Sequence, residues 1–396
     1  MSSKKKQKLL FVGITPYPNG LASSNRLSGL LEGLAQLGWD VDVVCLSSTK
    51  YPTRIEKNKN YFERQGNHNG VNFKYYSAQV KAAKNKTNRV SSHLWGMFSF
   101  FIHINSFKKK AEYKVFLINQ TTPIYILYYY LLNFIPKYRF VLLRSEIPSY
   151  HKRVSKWCFK KFDGFLLMTY FLKNYFNKHK RTDSKIQILP MTVDNERFSE
   201  AFKSPFPFEY IAYAGSLSIK KDGIDILLKS YCSISEKFPG IHLVIIGNDS
   251  DFNVKQTLFN IVEKMPLTTQ KKIHFTGLVD RKYIPKYLNN AKILVLARPD
   301  SLQAQAGFPS KLGEYLSTGQ PVIVTETGEV SIYLTDSETA FLCPPGDITA
   351  FSSKLDFVLS NYSHALKVGL RGQTLAKNTF DAKVQAETMS VFLKKL

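Results

Sequence analysis

Lys311 and Glu314 are the two side chains of this 396-residue chain whose types and spacing point most directly to chemistry. They stand three residues apart in a run that opens Gly307-Phe308-Pro309-Ser310-Lys311. A helix starting behind Pro309 carries both on one face, near its positive N-terminal end. Such an end with a lysine favours phosphate. A carboxylate one turn deeper accepts hydrogen bonds from a vicinal diol such as a ribose. Gly319 closes the helix, and Pro321 stops it running on into the β-prone stretch from Val322 to Thr325. The same spacing also describes an amphipathic helix with a solvent-exposed Lys–Glu pair.

A second stretch runs Tyr213-Ala214-Gly215-Ser216, then Lys220-Lys221-Asp222-Gly223, then apolar residues at helical spacing. A strand leads into a glycine turn, a lysine-rich loop and a helix. Gly215 lets the backbone approach a ligand, and Ser216 and Lys221 can bind a diphosphate. A plain strand–turn–helix with exposed lysines has the same appearance. Two phosphate-friendly loops at the carboxyl ends of strands in one open sheet suggest a nucleotide site.

The elements that must position these groups alternate between strand-like and helix-like along the whole chain. Strands are expected at Lys8 to Thr15, Asp40 to Leu46, Val71 to Tyr76, Val115 to Asn119, Phe140 to Arg144, Gly164 to Met168 and Ile186 to Leu189. After a linker-like segment at 199–208, with Pro205 and Pro207, the alternation restarts. Further strands are expected at Tyr210 to Ala214, His242 to Ile246, Ile273 to Phe275, Ile293 to Leu296 and Val322 to Thr325. This pattern predicts parallel sheets flanked by helices. The length suits two domains.

Bulk properties narrow the classes. With 44% hydrophobic and 14% aromatic residues the chain is globular. Its net charge of +25 is unevenly spread. Residues 1–200 carry 33 Lys/Arg against 12 Asp/Glu, and residues 201–396 carry 22 against 18. The first half therefore suits a large anionic surface, either nucleic acid or an anionic membrane leaflet. Cys45, Cys158, Cys232 and Cys343 are far apart and form neither a metal-ligand spacing nor a disulfide framework, which fits a reducing compartment. No signal peptide is read, and the longest apolar stretch falls short of the roughly 20 residues a bilayer span needs. Asp40 with Asp42 reads as outward strand positions, and Asp249 with Asp251 as a polar loop, rather than as metal ligands.

Several segments, taken in order, resemble the retaining glycosyltransferases of family 4, the glycosyl transferases group 1. They are Ala214 to Gly223; Ile188-Leu189-Pro190-Met191-Thr192-Val193-Asp194 with Arg197-Phe198; His274 to Val279; Gly307 to Val322; and Ala340 to Asp347. The second is similar to the family's Pro-Asn-Gly-Val-Asp…Arg-Phe, with Met191 and Thr192 replacing Asn and Gly. The resemblance covers nearly the whole chain. It implies an α/β GT-B fold, two Rossmann-like parallel-sheet domains facing an interdomain cleft. Residues 1–200 would form the acceptor- and membrane-facing domain and 201–381 the nucleotide-sugar-binding domain. A last helix at 382–396 could return to pack on the first.

The resemblance also implies roles. Glu314 would hold the ribose hydroxyls of a nucleoside-diphosphate sugar. Lys221 would bind the diphosphate, with Ser216 standing where many members have Arg. The backbone from Gly277 to Val279 would face the base. Gln305, Gly307, Phe308, Pro309 and Ser310 would face sugar and phosphates, with Lys311 and Arg298 as nearby cations. Fixed cations and helix-end amides would stabilise the leaving diphosphate. The family typically needs no metal, so no metal and no cofactor beyond the donor co-substrate is expected. One departure stands out. The family pattern of Glu, seven residues, Glu places its first carboxylate at Ala306, where Gln303 and Gln305 are the nearest polar side chains.

In the first half, Gly20 sits in the loop after the first strand, which in the family borders donor and acceptor. Asn25 and Arg26 follow it, Arg26 being either an anion contact or a helix-surface residue. Arg144 and Glu146 follow another strand, and Glu146 is the candidate for acceptor binding or proton handling. His151, like His93 and His103, is a candidate base or an ordinary histidine. Lys221, Glu146 and Glu314 form the expected catalytic set. Trp95, Phe98, Phe100 and Phe101 before Lys108 to Lys110, and the aromatic run from Tyr125 to Phe134 before Lys137, suit a membrane interface or buried helices with solvated ends.

The expected activity is retaining, metal-independent transfer of a sugar to a hydroxyl of a lipid-linked saccharide or related acceptor in cell-surface polysaccharide synthesis. The expected location is cytoplasmic, peripheral on the inner face of the membrane. Alternatives are a GT-B-like nucleotide-sugar epimerase and, in another class, a basic nucleic-acid-binding protein. Against the last, no nucleic-acid motif occurs.

Overall fold

A computed structural model describes residues 7–20, 22–49, 63–81, 85–110, 113–133, 138–148, 153–248 and 252–396. The chain divides into two units, Met1–Thr192 with Ala382–Leu396, and Val193–Asp381. The division falls at Thr192/Val193, ahead of the Pro205/Pro207 segment, and the last helix groups with the first unit.

The first unit holds an eight-stranded sheet. Its strands are β1 (Lys8–Gly13), β2 (Asp40–Cys45), β3 (Gln65–His68), β4 (Val71–Tyr75), β5 (Val115–Ile118), β6 (Arg139–Arg144), β7 (Gly164–Leu167) and β8 (Lys185–Ile188), in the order β3-β4-β2-β1-β5-β6-β7-β8. All pairs are parallel except β3 with β4. The central strands are covered on both faces, so they read as continuous apolar runs such as Val115–Ile118, buried throughout. The edge strand β3, polar and exposed, is absent from the sequence expectation. It is created by the two-residue turn Asn69-Gly70, both at positive φ, 48° and 85°. Asp40 and Asp42 are accounted for within this sheet. Lys8 Nζ lies 3.2 Å from Asp40, while Tyr113 OH and Asn72 Nδ2 donate to Asp42.

The helix Ala382–Lys394 completes this unit. Gly29 and Gly33, one turn apart on the helix Ala22–Gln36, face Ala382 and Ala386. A Cβ added at Gly33 would stand 2.4 Å from the Ala386 Cβ. Small residues on both sides let the helix axes approach. Met389, Phe392 and Leu393 then enter one core with Leu27, Leu30 and Leu34. Trp39 Nε1 donates to Ser390 Oγ at 2.8 Å across the same seam.

The second unit holds β9 (Glu209–Ala214), β10 (Ile241–Ile246), β11 (Ile273–Gly277), β12 (Ile293–Leu296), β13 (Val322–Thr325) and β14 (Phe341–Cys343) in the order β11-β10-β9-β12-β13-β14. Every pair is parallel. Its two ends meet, the Val193 amide donating to the Phe380 carbonyl at 2.8 Å. The strand order reverses between β9 and β12, and a ligand crevice forms at the carboxyl ends of strands at such a point.

Replacing Gly33 by Val drives two methyl groups into the Ala386 contact. It should destabilise the protein by about 1–3 kcal/mol in urea unfolding.

Candidate functional site

Both phosphate-friendly loops of the sequence reading arrive at the β9/β12 reversal. Gly215 and Ser216 leave β9, and Ser218 caps the short helix Ile219–Asp222 by accepting from the Lys221 amide. Gly223 ends that helix in the left-handed region at φ 67°, and a Cβ there would lie 1.8 Å from the Ala297 carbonyl oxygen. Only glycine fits so close to the exit of β12. The approach lets Arg298 Nε donate to the Lys221 carbonyl at 3.3 Å. Arg298 is almost fully buried, and its own carbonyl accepts from Thr325 Oγ1.

The helix Ser310–Ser317 lies against the end of β9, where the Ala214 amide donates to Tyr315 OH at 2.7 Å. No side chain caps its first turn. Lys311 and Glu314 share a face of this helix yet do not pair with each other. Lys311 Nζ is 2.8 Å from Asp222 Oδ1 and donates to Tyr213 OH at 2.6 Å. Asp222 also accepts from Ser216 Oγ, and Tyr213 OH donates to the Ser216 carbonyl at 2.6 Å. Burial lowers the Lys311 pKa to about 8 against the opposing pull of Asp222, with Arg298 and Lys221 adding to the decrease. Burial, reinforced by Asp222, keeps the Tyr213 phenol protonated and therefore a donor.

The result is a cation held at the mouth of the sheet beside the uncapped helix end, with a carboxylate one turn further in. That arrangement matches an anionic group followed by a polyol. Glu314 Oε1 is taken by Arg197 NH1 at 3.0 Å. Arg197, Asp222 and Tyr213 are the residues the sequence reading left out of its site. Asp222 and Arg197 stand inside the segments that carried the resemblance, but spacing along a chain does not show which side chain closes on which.

Other sequence expectations need correction. Gln305, expected to face sugar and phosphates, lies on the helix Leu302–Ala306, capped by Ser301, and its amide donates to Asp300 at 2.6 Å. Phe308 and Pro309 turn inward. The Phe308 ring packs on Tyr333 and Phe380 at 5.4 and 5.6 Å between centroids, and Pro309 is buried beside it. Ala306, where the family pattern has its first carboxylate, is buried. Gly307 closes the preceding helix, and Ser310 is exposed at the start of the next. Ser216 directs its hydroxyl to Asp222, and the Lys221 side chain is exposed. Gly277 ends β11 at φ 71°, with Val279 in the loop beyond.

In the first unit the reversal lies between β1 and β5. Asn119 Nδ2 donates to Thr15 Oγ1 at 2.7 Å there, and the Asn119 carbonyl accepts from Arg144 NH1. Arg144 also donates to the carbonyls of Glu146 and Ile147, which leaves the Glu146 side chain exposed at the end of β6. Arg26 is neither a surface residue nor an anion contact. It is buried, donates to the carbonyls of Leu189 and Pro190, and has its pKa lowered by burial to about 10. Gly20 is buried against Ser24, and Asn25 is half-buried. His93 Nδ1 lies 2.9 Å from Ser47 Oγ and 3.2 Å from the Leu46 carbonyl, and burial lowers its pKa. His103 Nδ1 meets the Ser99 carbonyl of its own helix. His151, Asp249, Asp251, Lys137 and the side chains of Lys108 to Lys110 lie outside the described residues.

Residues 194–374, nearly the whole second unit, match the family described as glycosyl transferases group 1. A 2-deoxystreptamine N-acetyl-D-glucosaminyltransferase of Niallia circulans is 28% identical over 213 residues, 51% of this chain and 52% of that protein. The chain spans about half the length of the curated relatives it matches. Among solved structures, a sucrose-phosphate synthase from Thermosynechococcus elongatus is similar at TM-score 0.72 and 14% identity, covering 98% of this chain and 99% of that one. Anabaena HepE in complex with UDP is similar at TM-score 0.72 and 14% identity, covering 98% and 100%. At these identities the likeness is one of fold, and the fold is GT-B.

Because the Lys311 pKa is lowered on folding, the folded state binds fewer protons than the unfolded chain between about pH 8 and 10.5. Stability contributed through this residue therefore rises with pH across that window. Urea unfolding of the protein and of Lys311→Met should show the difference, the wild type gaining roughly 1–3 kcal/mol over the variant from pH 8 to 10.5.

Proposed function

We propose that the protein is a glycosyltransferase that takes a sugar from a nucleoside-diphosphate sugar bound on the second unit and passes it to an acceptor hydroxyl. The observation that carries this is the cation site at the β9/β12 reversal, Lys311 held by Asp222 and Tyr213 next to the uncapped helix Ser310–Ser317. It lies within the stretch that matches glycosyl transferases group 1. Lys311 and Lys221, with Arg298 behind them, draw the diphosphate and stabilise the charge that develops as the sugar bond breaks. Glu314 takes the ribose hydroxyls through the oxygen that Arg197 leaves open. The backbone from Gly277 to Val279 meets the base. Retention of configuration and independence from a metal complete the reading. The complexes of HepE with UDP and with UDP-glucose support a uridine donor as the first to try.

On the first unit, Glu146 at the exposed end of β6 is the proposed group for acceptor contact or proton transfer. The acceptor we propose is a lipid-linked saccharide, in assembly of a cell-surface polysaccharide, with the protein peripheral on the inner membrane face. Two neighbouring helices support this. Leu94, Trp95, Phe98, Phe101 and Ile102 on Lys86–Lys110, and Ile124 and Leu131 on Pro123–Asn133, each expose more than half of their surface. Tyr128 OH donates to the Met97 carbonyl at 2.7 Å and joins the helices side by side. Phe100, by contrast, is buried. Among the described residues no helix is long and apolar enough to cross a membrane. An apolar face on the basic half of the chain fits an anionic bilayer better than a nucleic-acid duplex, whose phosphates are met chiefly by cations.

Titration with UDP-, GDP- and ADP-sugars by calorimetry in the presence of EDTA should give saturable binding of one donor, lost in Glu314→Ala. Binding of none by folded protein would remove the enzyme reading. Consumption of the donor without any acceptor would favour the epimerase. In flotation with phosphatidylglycerol vesicles, the wild type should bind, and Leu94→Glu/Phe98→Glu should lose at least about tenfold in partitioning. Equal binding by both would sink the membrane face.

A further inference from the structure

The turn Asn195–Phe198 lies along the helix Ser310–Ser317 and holds it at two points one helical turn apart. Ser317 Oγ donates to Asn195 Oδ1 at 2.7 Å, and Arg197 NH1 donates to Glu314 Oε1 at 3.0 Å. The turn is itself well anchored. Asp194 caps it, Asn195 Nδ2 donates to Asp381, and the Phe198 carbonyl accepts from Asn289 Nδ2. Its arginine therefore reaches Glu314 from a fixed base.

Arg197 has a second partner. Its NH2 donates to the main-chain carbonyl of Arg281 at 2.8 Å. Arg281 opens the turn that follows Gly277–Val279, and Asp280 caps that turn. One planar guanidinium thus bridges the helix that carries Glu314 and the loop that leaves β11.

We propose that Arg197 is a positioning residue that couples ribose recognition to base recognition. The proposal rests on the reading that Glu314 takes the ribose hydroxyls and that Gly277–Val279 meets the base. A carboxylate turns easily about its last torsion. A charge-assisted bond to one oxygen fixes the plane of the group and aims the other at the ligand. The pair is mostly shielded, with side-chain exposures of 17% for Arg197 and 28% for Glu314, so solvent competes weakly for it. The rigid fork of an arginine serves two acceptors in fixed directions, whereas a lysine ammonium on a flexible stem serves them poorly.

The test compares UDP, GDP and ADP by calorimetry, and then the tightest of the three against its 2′-deoxy and 3′-deoxy forms. The proteins are wild type, Arg197→Ala, Arg197→Lys and Glu314→Gln, each checked for folding by thermal unfolding. Wild type should prefer one base and should bind a deoxy form about tenfold or more weaker than the ribo form. Glu314→Gln should erase the ribo preference and keep the base preference. Arg197→Ala should erase the ribo preference and narrow the base preference as well, with Arg197→Lys restoring only part of the first. If both arginine variants weaken ribo and deoxy ligands equally, so that the ratio is unchanged, Arg197 is only structural and the proposal fails. If Arg197→Ala erases the ribo preference but leaves the base preference intact, the coupling fails. If Glu314→Gln leaves the ratio unchanged, the ribose reading of Glu314 fails first and this proposal with it. Should Arg197→Ala not fold, the Arg197→Lys ratios decide by the same criteria.

Discussion

A lysine ammonium stripped of most of its water needs a counter-charge within reach, and the second unit is organised around that need. Asp222 meets Lys311 at 2.8 Å, and Tyr213 accepts a second hydrogen bond. Asp222 comes from the short helix after β9, Tyr213 from β9 itself, and Lys311 from a helix that follows β12 by more than a dozen residues. One ion pair therefore ties together the two elements that flank the reversal of the sheet. A buried pair of this kind contributes little to net stability, because desolvation offsets most of the attraction. Its effect is to hold a cation at the carboxyl end of β9, beside the N-terminus of the helix Ser310–Ser317. The glycine at 223 belongs to the same device, because a side chain there would collide with the exit of β12 and push Asp222 out of place.

The first unit is governed by a different constraint, close approach of backbones. Gly29 and Gly33 against Ala382 and Ala386 let the helix from the far end of the chain dock on the helix that follows β1. Arg26, on that same helix, is turned to the carbonyls of Leu189 and Pro190 just after the last strand. The cationic side chain that looked free to meet a substrate instead holds the two ends of the sheet's connections together. Among the described residues of this unit, the long helix Lys86–Lys110 and its neighbour Pro123–Asn133 turn several large apolar side chains to solvent. Phe100 on the long helix is buried, so the exposed residues of that helix lie on the opposite face.

Strand positions were legible because parallel strands covered on both faces are unbroken apolar runs, and each such run lies within a residue or two of its place. Two strands carry no such run. The three residues of Phe341–Cys343 are too short to make a pattern. Gln65–His68 is polar, since an edge strand need not be apolar, although Asn69-Gly70 carries a hairpin signal. The unit boundary lies ahead of the prolines, because proline marks a turn and says nothing of which sheet a segment packs on.

By itself the sequence determined that two α/β units follow one another, and that a helix carrying Lys311 and Glu314 near its N-terminal end lies in the second. Those features depend on residues near each other in the chain, through hydrophobic period, glycine and proline punctuation, and helical spacing. Tertiary structure alone decided the partners. Lys311 chose Asp222 over Glu314, Glu314 chose Arg197, Arg26 went to backbone carbonyls, and Phe308 went inward to Phe380. A charge pairs with whatever counter-charge the sheet brings closest as water leaves, and that distance is set by strand order, which no local pattern encodes.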